Sequence, residues 1–155
     1  MGLQAVRARV LPVLGVLACF VIALLAVTAR PAAASESLGN RMLDWAEAHA
    51  YGHWYGWGGT GPAVFDCSGL VFAAARADGV ALPRTTYGML AGSSHLYRIP
   101  LSQARRGDLL FYGSGHVEFD TAWYHTSFGA HASGQRVGWI QWSSGWAPTM
   151  AMRLR

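Results

Sequence analysis

The sequence contains no lysine, only two cysteines and few charged residues of any kind. Its 12 basic residues are all arginines and stand against 8 acidic residues, and charged residues make up 13% of the 155. Beyond residue 34, 9 arginines remain against 8 acidic residues, a net charge of +1. Proteins that bind a nucleic-acid backbone carry a basic patch or stripe, and here only Arg105 and Arg106 are adjacent. We therefore expect no nucleic-acid partner.

Hydrophobic residues are plentiful. They make up 52% of the chain, and aromatic residues make up 12%. This composition supports a packed core and excludes an intrinsically disordered chain. The length suits a single domain, which we place at residues 35–155 and expect to be a monomer.

The first 34 residues resemble a targeting segment. Arg7 and Arg9 precede an uncharged stretch at residues 10–27, and small residues follow at 32–34. This order predicts a signal peptide cleaved after Ala34. The apolar stretch is also just long enough to span a bilayer, so an uncleaved anchor is the alternative. Either outcome places the domain outside the cytoplasm, at the cell wall or secreted, with membrane contact only through this segment.

Removal of residues 1–34 leaves Cys67 as the single cysteine. An intrachain disulfide is then impossible. The thiol is either a small buried apolar side chain or a nucleophile kept for its reactivity.

The pattern of the mature chain predicts helices first and strands second. Helices are expected at 37–50, at 67–78 with Asp66 as N-cap, and at 84–92, and a glycine- and aromatic-rich loop at 51–66. Strands are expected at 108–112, 116–120, 126–133, 135–142 and 149–155. This order predicts an α+β domain in which N-terminal helices pack on a C-terminal antiparallel sheet.

Cys67 would lie in the first turn of a helix, where free N–H groups and the helix dipole favour a thiolate. A cysteine nucleophile also needs a general base held by a third polar group. We expect Val117 and Phe119 to face the core and His116 to lie inward beside them. His131, in the next strand, is expected to contact the other ring nitrogen of His116.

Five sequence motifs, in order, closely resemble the signature of the NlpC-type cell-wall cysteine peptidases and cover about residues 40–142. They are Tyr55-Gly56-Trp57-Gly58-Gly59, Asp66-Cys67-Ser68-Gly69-Leu70-Val71, Leu82-Pro83-Arg84-Thr85, Gly107-Asp108-Leu109 and Gly115-His116-Val117. The resemblance implies a papain-like fold and hydrolysis of peptidoglycan stem peptides, usually at the bond between γ-D-glutamate and a diamino acid. It implies no metal or organic cofactor.

Roles follow from the resemblance by position. It implies Cys67 as nucleophile, His116 as general base and His131 as the residue that orients the base. It also implies that three residues bind substrate: Tyr55, Asp66 and Ser68. Asp66 as a simple N-cap and Tyr55 as a core aromatic are the alternatives. For Arg84 the alternatives are a pair with a stem carboxylate and a pair with Asp108, and we favour a structural role.

The chain departs from the family pattern in two places. Glu118 stands where the family commonly has glycine, followed by Asp120, and these carboxylates could alter substrate preference. His116 and His131 are 15 residues apart, slightly more than usual, and His125 in between is the alternative third residue.

Three other functions stay open. One is a papain-like amidase that cuts between sugar and stem, and another is a non-catalytic cell-wall binding protein that uses the many aromatic residues. The third is a zinc site formed by the histidines and Cys67, which matches no compact ligand motif.

Overall fold

The computed structural model describes residues 36–155, and the signal peptide expected at residues 1–34 lies outside them. Within the described residues the helices are α1 (Leu38–Ala50), α2 (Cys67–Ala77) and α3 (Thr86–Ala91). The strands are β1 (Trp54–Tyr55), β2 (Val64–Phe65), β3 (Leu96–Ile99), β4 (Leu109–Tyr112), β5 (His116–Asp120), β6 (Thr126–Gly129), β7 (Gly138–Gln141) and β8 (Met150–Leu154). None of the helices in residues 36–155 is both long and apolar enough to cross a membrane.

The larger sheet has the strand order β3-β8-β4-β5-β6-β7, with antiparallel neighbours throughout. The predicted α+β class is confirmed. The sequence pattern missed β3, at one edge of this sheet, and the short parallel pair β1 and β2 within the loop at 51–66.

The predicted strand at 126–133 is too long. The strand ends at Gly129, and a turn follows in which the N–H of Gln135 donates to the carbonyl oxygen of Ala132. His131 therefore lies in the loop between β6 and β7 and not on a strand.

The two faces of the sheet have different characters. Val117 and Phe119 pack with the helices in the main core, as expected. His116 is buried too, but alternation along β5 puts it on the opposite face, so the expected placement beside Val117 is wrong. Tyr112 stands directly opposite His116 on β4 and shares its face. The buried polar side chains of the sheet lie on this face, opposite the main core.

Helix α2 holds Cys67 against this sheet. The carboxylate of Asp66 caps it by accepting a hydrogen bond from the N–H of Gly69 at 2.6 Å, which confirms the predicted N-cap. A Cβ on Gly69 would overlap the carbonyl oxygen of Gly59. Glycine at this position thus lets the loop before α2 lie directly against the first turn of the helix.

Candidate active site

Cys67 begins α2 and lines a cleft of about 450 Å³. Only 6% of the residue is exposed. Its Sγ atom is 4.0 Å from Oγ1 of Thr86 and 4.0 Å from the carbonyl oxygen of Gly115. The rest of the cleft comes from the loop before α2, from α3 and from the β4–β5 turn: Trp57, Gly58, Asp66, Ser68, Arg84, Thr85, Tyr87 and Ser114. A substrate in this cleft can reach the sulfur.

The surroundings of the Cys67 thiol favour its ionised form. Burial raises the pKa of Cys67, while a hydrogen bond to His116 and the charge of that imidazole lower it. Backbone hydrogen bonds from Val117 and Ser68 lower it further, and the net pKa is below the ordinary value for a thiol. A lowered thiol pKa is typical of a reactive cysteine.

The imidazole of His116 lies between the thiol and a carboxylate. Its Nε2 atom is 2.9 Å from Oε1 of Glu118, which leaves Nδ1 as the nitrogen for Cys67. Burial lowers the pKa of His116, but hydrogen bonds to Cys67 and Glu118 outweigh it and raise the pKa to about 9. A protonated imidazole beside a thiolate is the resulting arrangement.

Glu118 is completely buried and is surrounded by hydrogen-bond donors. Oε1 accepts from Nε2 of His116 and from Nδ1 of His131, each at 2.9 Å. Oε2 accepts from the hydroxyl groups of Ser127 and, at 3.3 Å, Tyr112. Burial raises the pKa of Glu118, but the two histidines and Ser127 lower it to about 2. The residue is therefore a buried anion with both oxygens occupied.

His131 lies close to the base but does not hold it directly. The two imidazole rings are 5.5 Å apart between centroids and meet edge to face. The ring nitrogen of His116 that His131 was expected to contact is taken by Glu118. The sequence-based expectation of a direct contact is thus corrected, because a carboxylate two residues along β5 reaches the imidazole first. His125, the alternative, stacks on Trp142 and Tyr124 instead.

Asp66 and Ser68 stand at one side of the cleft and are both bound to Arg84. The guanidinium donates to Oδ1 and Oδ2 of Asp66 at 3.0 and 2.6 Å and to Oγ of Ser68 at 3.0 Å. Burial raises the pKa of Asp66, but Arg84 and the N–H of Gly69 lower it below the ordinary value. Arg84 pairs here and not with Asp108, which Arg153 holds at 2.9 and 2.8 Å.

Aromatic residues form the rest of the site. Tyr55 is half-buried, and its pKa is raised by burial and then by the charges of Cys67 and Asp66. Trp57 and Tyr87 line the cleft and are 89% and 74% exposed. Such exposed aromatic rings on a cleft wall are available for stacking on a ligand.

One cluster has the composition of a metal site. Ligand atoms of His116, Glu118 and His131 lie within 4.8 Å of one another. In the described structure both ring nitrogens donate to the same carboxylate oxygen, so a metal would have to displace two protons. A further hollow of about 510 Å³, bordered by Trp45 and Phe72, contains neither a nucleophile nor a carboxylate.

Sequence reasoning missed several residues that build the site. The signal for Glu118 is its spacing from His116, because residues two apart on a strand share a face. No local sequence motif marks Ser127 or Thr86, because their roles depend on which side chains lie next to them in the fold. The exposure of Trp57 and Tyr87 likewise has no local signal in the sequence.

Three comparisons with known proteins bear on this site. A model of the NlpC/P60 family matches residues 52–139. The probable endopeptidase p60 of Listeria welshimeri is 48% identical over 73 residues, which are 45% of this chain and 13% of that protein. The match thus covers far less than two thirds of that relative.

The solved structures support the fold. RipB, a peptidoglycan hydrolase from Mycobacterium tuberculosis, is 27% identical with a TM-score of 0.63, over 75% of this chain and 64% of RipB. RipD of M. tuberculosis, a non-catalytic NlpC/p60 domain protein adapted to peptidoglycan binding, is 24% identical with a TM-score of 0.61, over 76% and 98% of the two chains. The likeness to RipD shows a shared fold alone. The predicted papain-like arrangement is confirmed.

Proposed function

The chain belongs to the NlpC/P60 family, a family of peptidoglycan hydrolases, and from that premise we propose that it is a secreted cysteine endopeptidase of peptidoglycan stem peptides. Its nucleophile is Cys67 and its general base is His116. The observation that carries the proposal is the pairing of Cys67, which lines the cleft, with His116, which lowers the pKa of the thiol while its own pKa is raised.

Acylation uses the ion pair. The Cys67 thiolate attacks the carbonyl carbon of the scissile amide, and the carbonyl electrons move to oxygen. When the tetrahedral intermediate collapses, the C–N bond breaks and His116 gives its proton to the departing amine. The products of this step are a free amine and a thioester on Cys67.

Deacylation regenerates the site. His116, now neutral, takes a proton from water as the oxygen attacks the thioester carbonyl. The C–S bond breaks, the new carboxyl end leaves, and the thiolate and imidazolium are restored. In both halves of the cycle, His116 transfers protons through the ring nitrogen that faces Cys67. This nitrogen is Nδ1, because Nε2 is hydrogen-bonded to Glu118.

The substrate is proposed from the family resemblance and from the cleft. The family implies the bond between γ-D-glutamate and the diamino acid of the stem. Tyr55, Asp66 and Ser68 are the proposed binding residues. Arg84 pairs with the carboxylate of Asp66 and also donates to the hydroxyl of Ser68. We therefore propose that this side of the cleft offers polar groups to the substrate and no free carboxylate for an ammonium group. The substrate places the enzyme outside the cytoplasm, and we propose that it acts there as a monomer.

The test is mass spectrometry of the soluble fragments that the protein releases from purified peptidoglycan, with Cys67→Ala as control. Fragments that end at D-glutamate, and none from the control, are the expected result. Intact stems that begin with L-alanine would identify an amidase. No fragments from either protein, with Cys67 unreactive toward iodoacetamide, would identify a binding protein and overturn the proposal.

A further inference from the structure

We propose that Glu118 is the positioning residue of His116, and that His131 acts on Glu118 and not on His116 itself. The inference deepens the proposed function and rests on the roles given there to Cys67 and His116. It replaces an expected histidine–histidine contact by a relay in which one buried carboxylate joins two imidazoles.

The proton positions follow from the carboxylate. An ionised carboxylate only accepts hydrogen bonds, so each ring nitrogen near Oε1 must carry the hydrogen. His116 is thereby fixed with a proton on Nε2, and its Nδ1 faces Cys67. His131 in turn donates from Nδ1. Removal of the carboxylate would leave both the tautomer and the ring orientation of His116 without a partner.

Glu118 itself cannot easily turn away. Ser127 donates to Oε2, and the indole N–H of Trp142 donates to Oγ of Ser127 at 3.1 Å. The ring of Trp146 covers both imidazoles edge to face, with centroids 5.4 and 5.2 Å away. The carboxylate is therefore held by Ser127 of β6, and the indole of Trp146 packs against the two imidazoles that donate to it.

The charge of Glu118 acts at close range with little screening, because the residue is completely buried. It favours the imidazolium form of His116, and the imidazolium favours the thiolate of Cys67. Besides His116, the polar or ionisable side chains that contact Glu118 are Tyr112 from β4, Ser127 from β6 and His131 from the β6–β7 loop. Each of them is placed to donate a hydrogen bond to Glu118.

The chain offers a matched control on the same strand. Asp120 lies two residues beyond Glu118, on the same face, and is also buried. Its Oδ1 accepts a hydrogen bond from the N–H of Ala122, and its carboxylate has no hydrogen bond to either imidazole in the described structure. Asp120→Asn replaces a buried carboxylate on the same face of β5 and removes no hydrogen bond to His116 or His131.

The first experiment measures the rate of alkylation of Cys67 by iodoacetamide against pH in the full chain, followed by peptide mass. We expect Glu118→Gln to raise the apparent pKa of the thiol by about one unit, which lowers the alkylation rate about tenfold at pH values below both pKa values. Asp120→Asn should leave the profile unchanged, and His131→Ala should move it less than Glu118→Gln does. Gln keeps the shape of Glu and can still accept from one ring N–H.

An unchanged thiol pKa in Glu118→Gln, or a larger shift in His131→Ala, would overturn the proposal. If Glu118→Gln does not fold, nitrogen-15 NMR of the histidines in the wild-type protein tests the proposal. A neutral His116 without a proton on Nε2 would overturn the proposal, and a proton on Nε2 would support it. Neither measurement needs peptidoglycan. Failure of the relay is therefore distinguishable from failure of the proposed hydrolase activity.

Discussion

Arg84 holds the carboxylate of Asp66 with both terminal nitrogens, at 3.0 and 2.6 Å, directly beside the candidate nucleophile. Asp66 also caps α2 through the N–H of Gly69 and accepts from the N–H of Gly58 at 2.8 Å. One carboxylate thus ties together the helix that begins at Cys67, the loop before it and the segment before α3. The stability of the cleft and the position of the thiol depend on the same ion pair.

Loss of this arginine should destabilise the protein. Arg84→Ala leaves Asp66 buried and charged without its partner, and we expect the free energy of unfolding to fall by about 2 kcal/mol. The figure lies below that for a fully buried pair because the side chain of Arg84 is 30% exposed. Since the pKa of Asp66 is lowered in the folded state, the difference from wild type should shrink as the pH falls and the carboxylate protonates.

Urea unfolding measures this effect, and Arg41→Ala is the matched control. Arg41 pairs with Asp78 at 3.2 Å, but its side chain is 45% exposed, and exposed pairs contribute about 0–1 kcal/mol. Equal losses in the two variants would contradict the role given to Arg84.

The buried charge of Glu118 should appear in acid stability. Its pKa falls from 4.5 to about 2 on folding, so its contribution is present above the unfolded pKa and is lost as the pH falls through the folded one. We expect the Tm of the wild type to drop between pH 4.5 and 2 more steeply than that of Glu118→Gln, measured by circular dichroism. Parallel curves would show that Glu118 is not ionised in the folded protein.

The sequence predicts the reactive residues of the site better than the contacts between the residues. Cys67 at a helix start and His116 at a strand start follow from local motifs, and the family match confirms the resemblance those motifs carry. The partners of these residues depend on packing between distant segments. Arg84 reaches Asp66 across 18 residues of sequence, and no local pattern distinguishes that pairing from one with Asp108.

The fold shows the same division. Helices α1 and α2 have strong caps and apolar faces, so their bounds were predicted within one residue. Strands β1 and β2 have two residues each and form only because the glycine-rich loop folds back on itself. Such pairs have no periodicity of their own to detect.

The proposed route also predicts an alkaline limit of activity. His116 must carry a proton for the leaving amine, and its pKa is raised to about 9 by Cys67 and Glu118 against the effect of burial. We expect kcat/KM on a soluble stem-peptide substrate to fall as the pH rises through about 9. Alkylation of Cys67 needs no acid and should show no such fall. A rate that stays constant well above this pH would argue against His116 as proton donor.

The close approach of the loop to α2 should make Gly69 intolerant of a side chain. A Cβ there would overlap the carbonyl oxygen of Gly59, which is backbone and cannot easily move. We expect Gly69→Ala to destabilise the protein by about 1–3 kcal/mol. Gly145→Ala is the control, because a Cβ at that exposed position meets nothing within 4 Å. Wild-type stability in Gly69→Ala, measured by urea unfolding, would mean that the loop is free to shift.

The exposed indole of Trp57 should contribute to substrate binding and not to folding. It lines the cleft with 89% of its surface exposed, so Trp57→Ala removes little packing. Stacking of an aromatic ring contributes about 0.5–1.5 kcal/mol, and we expect KM for a soluble peptidoglycan fragment to rise about 2- to 10-fold with kcat unchanged. Trp123, 63% exposed and outside the cleft, is the control, and Trp123→Ala should leave both constants as they are. If the two substitutions raise KM equally, the effect comes from general surface adhesion and the cleft wall is not a stacking site.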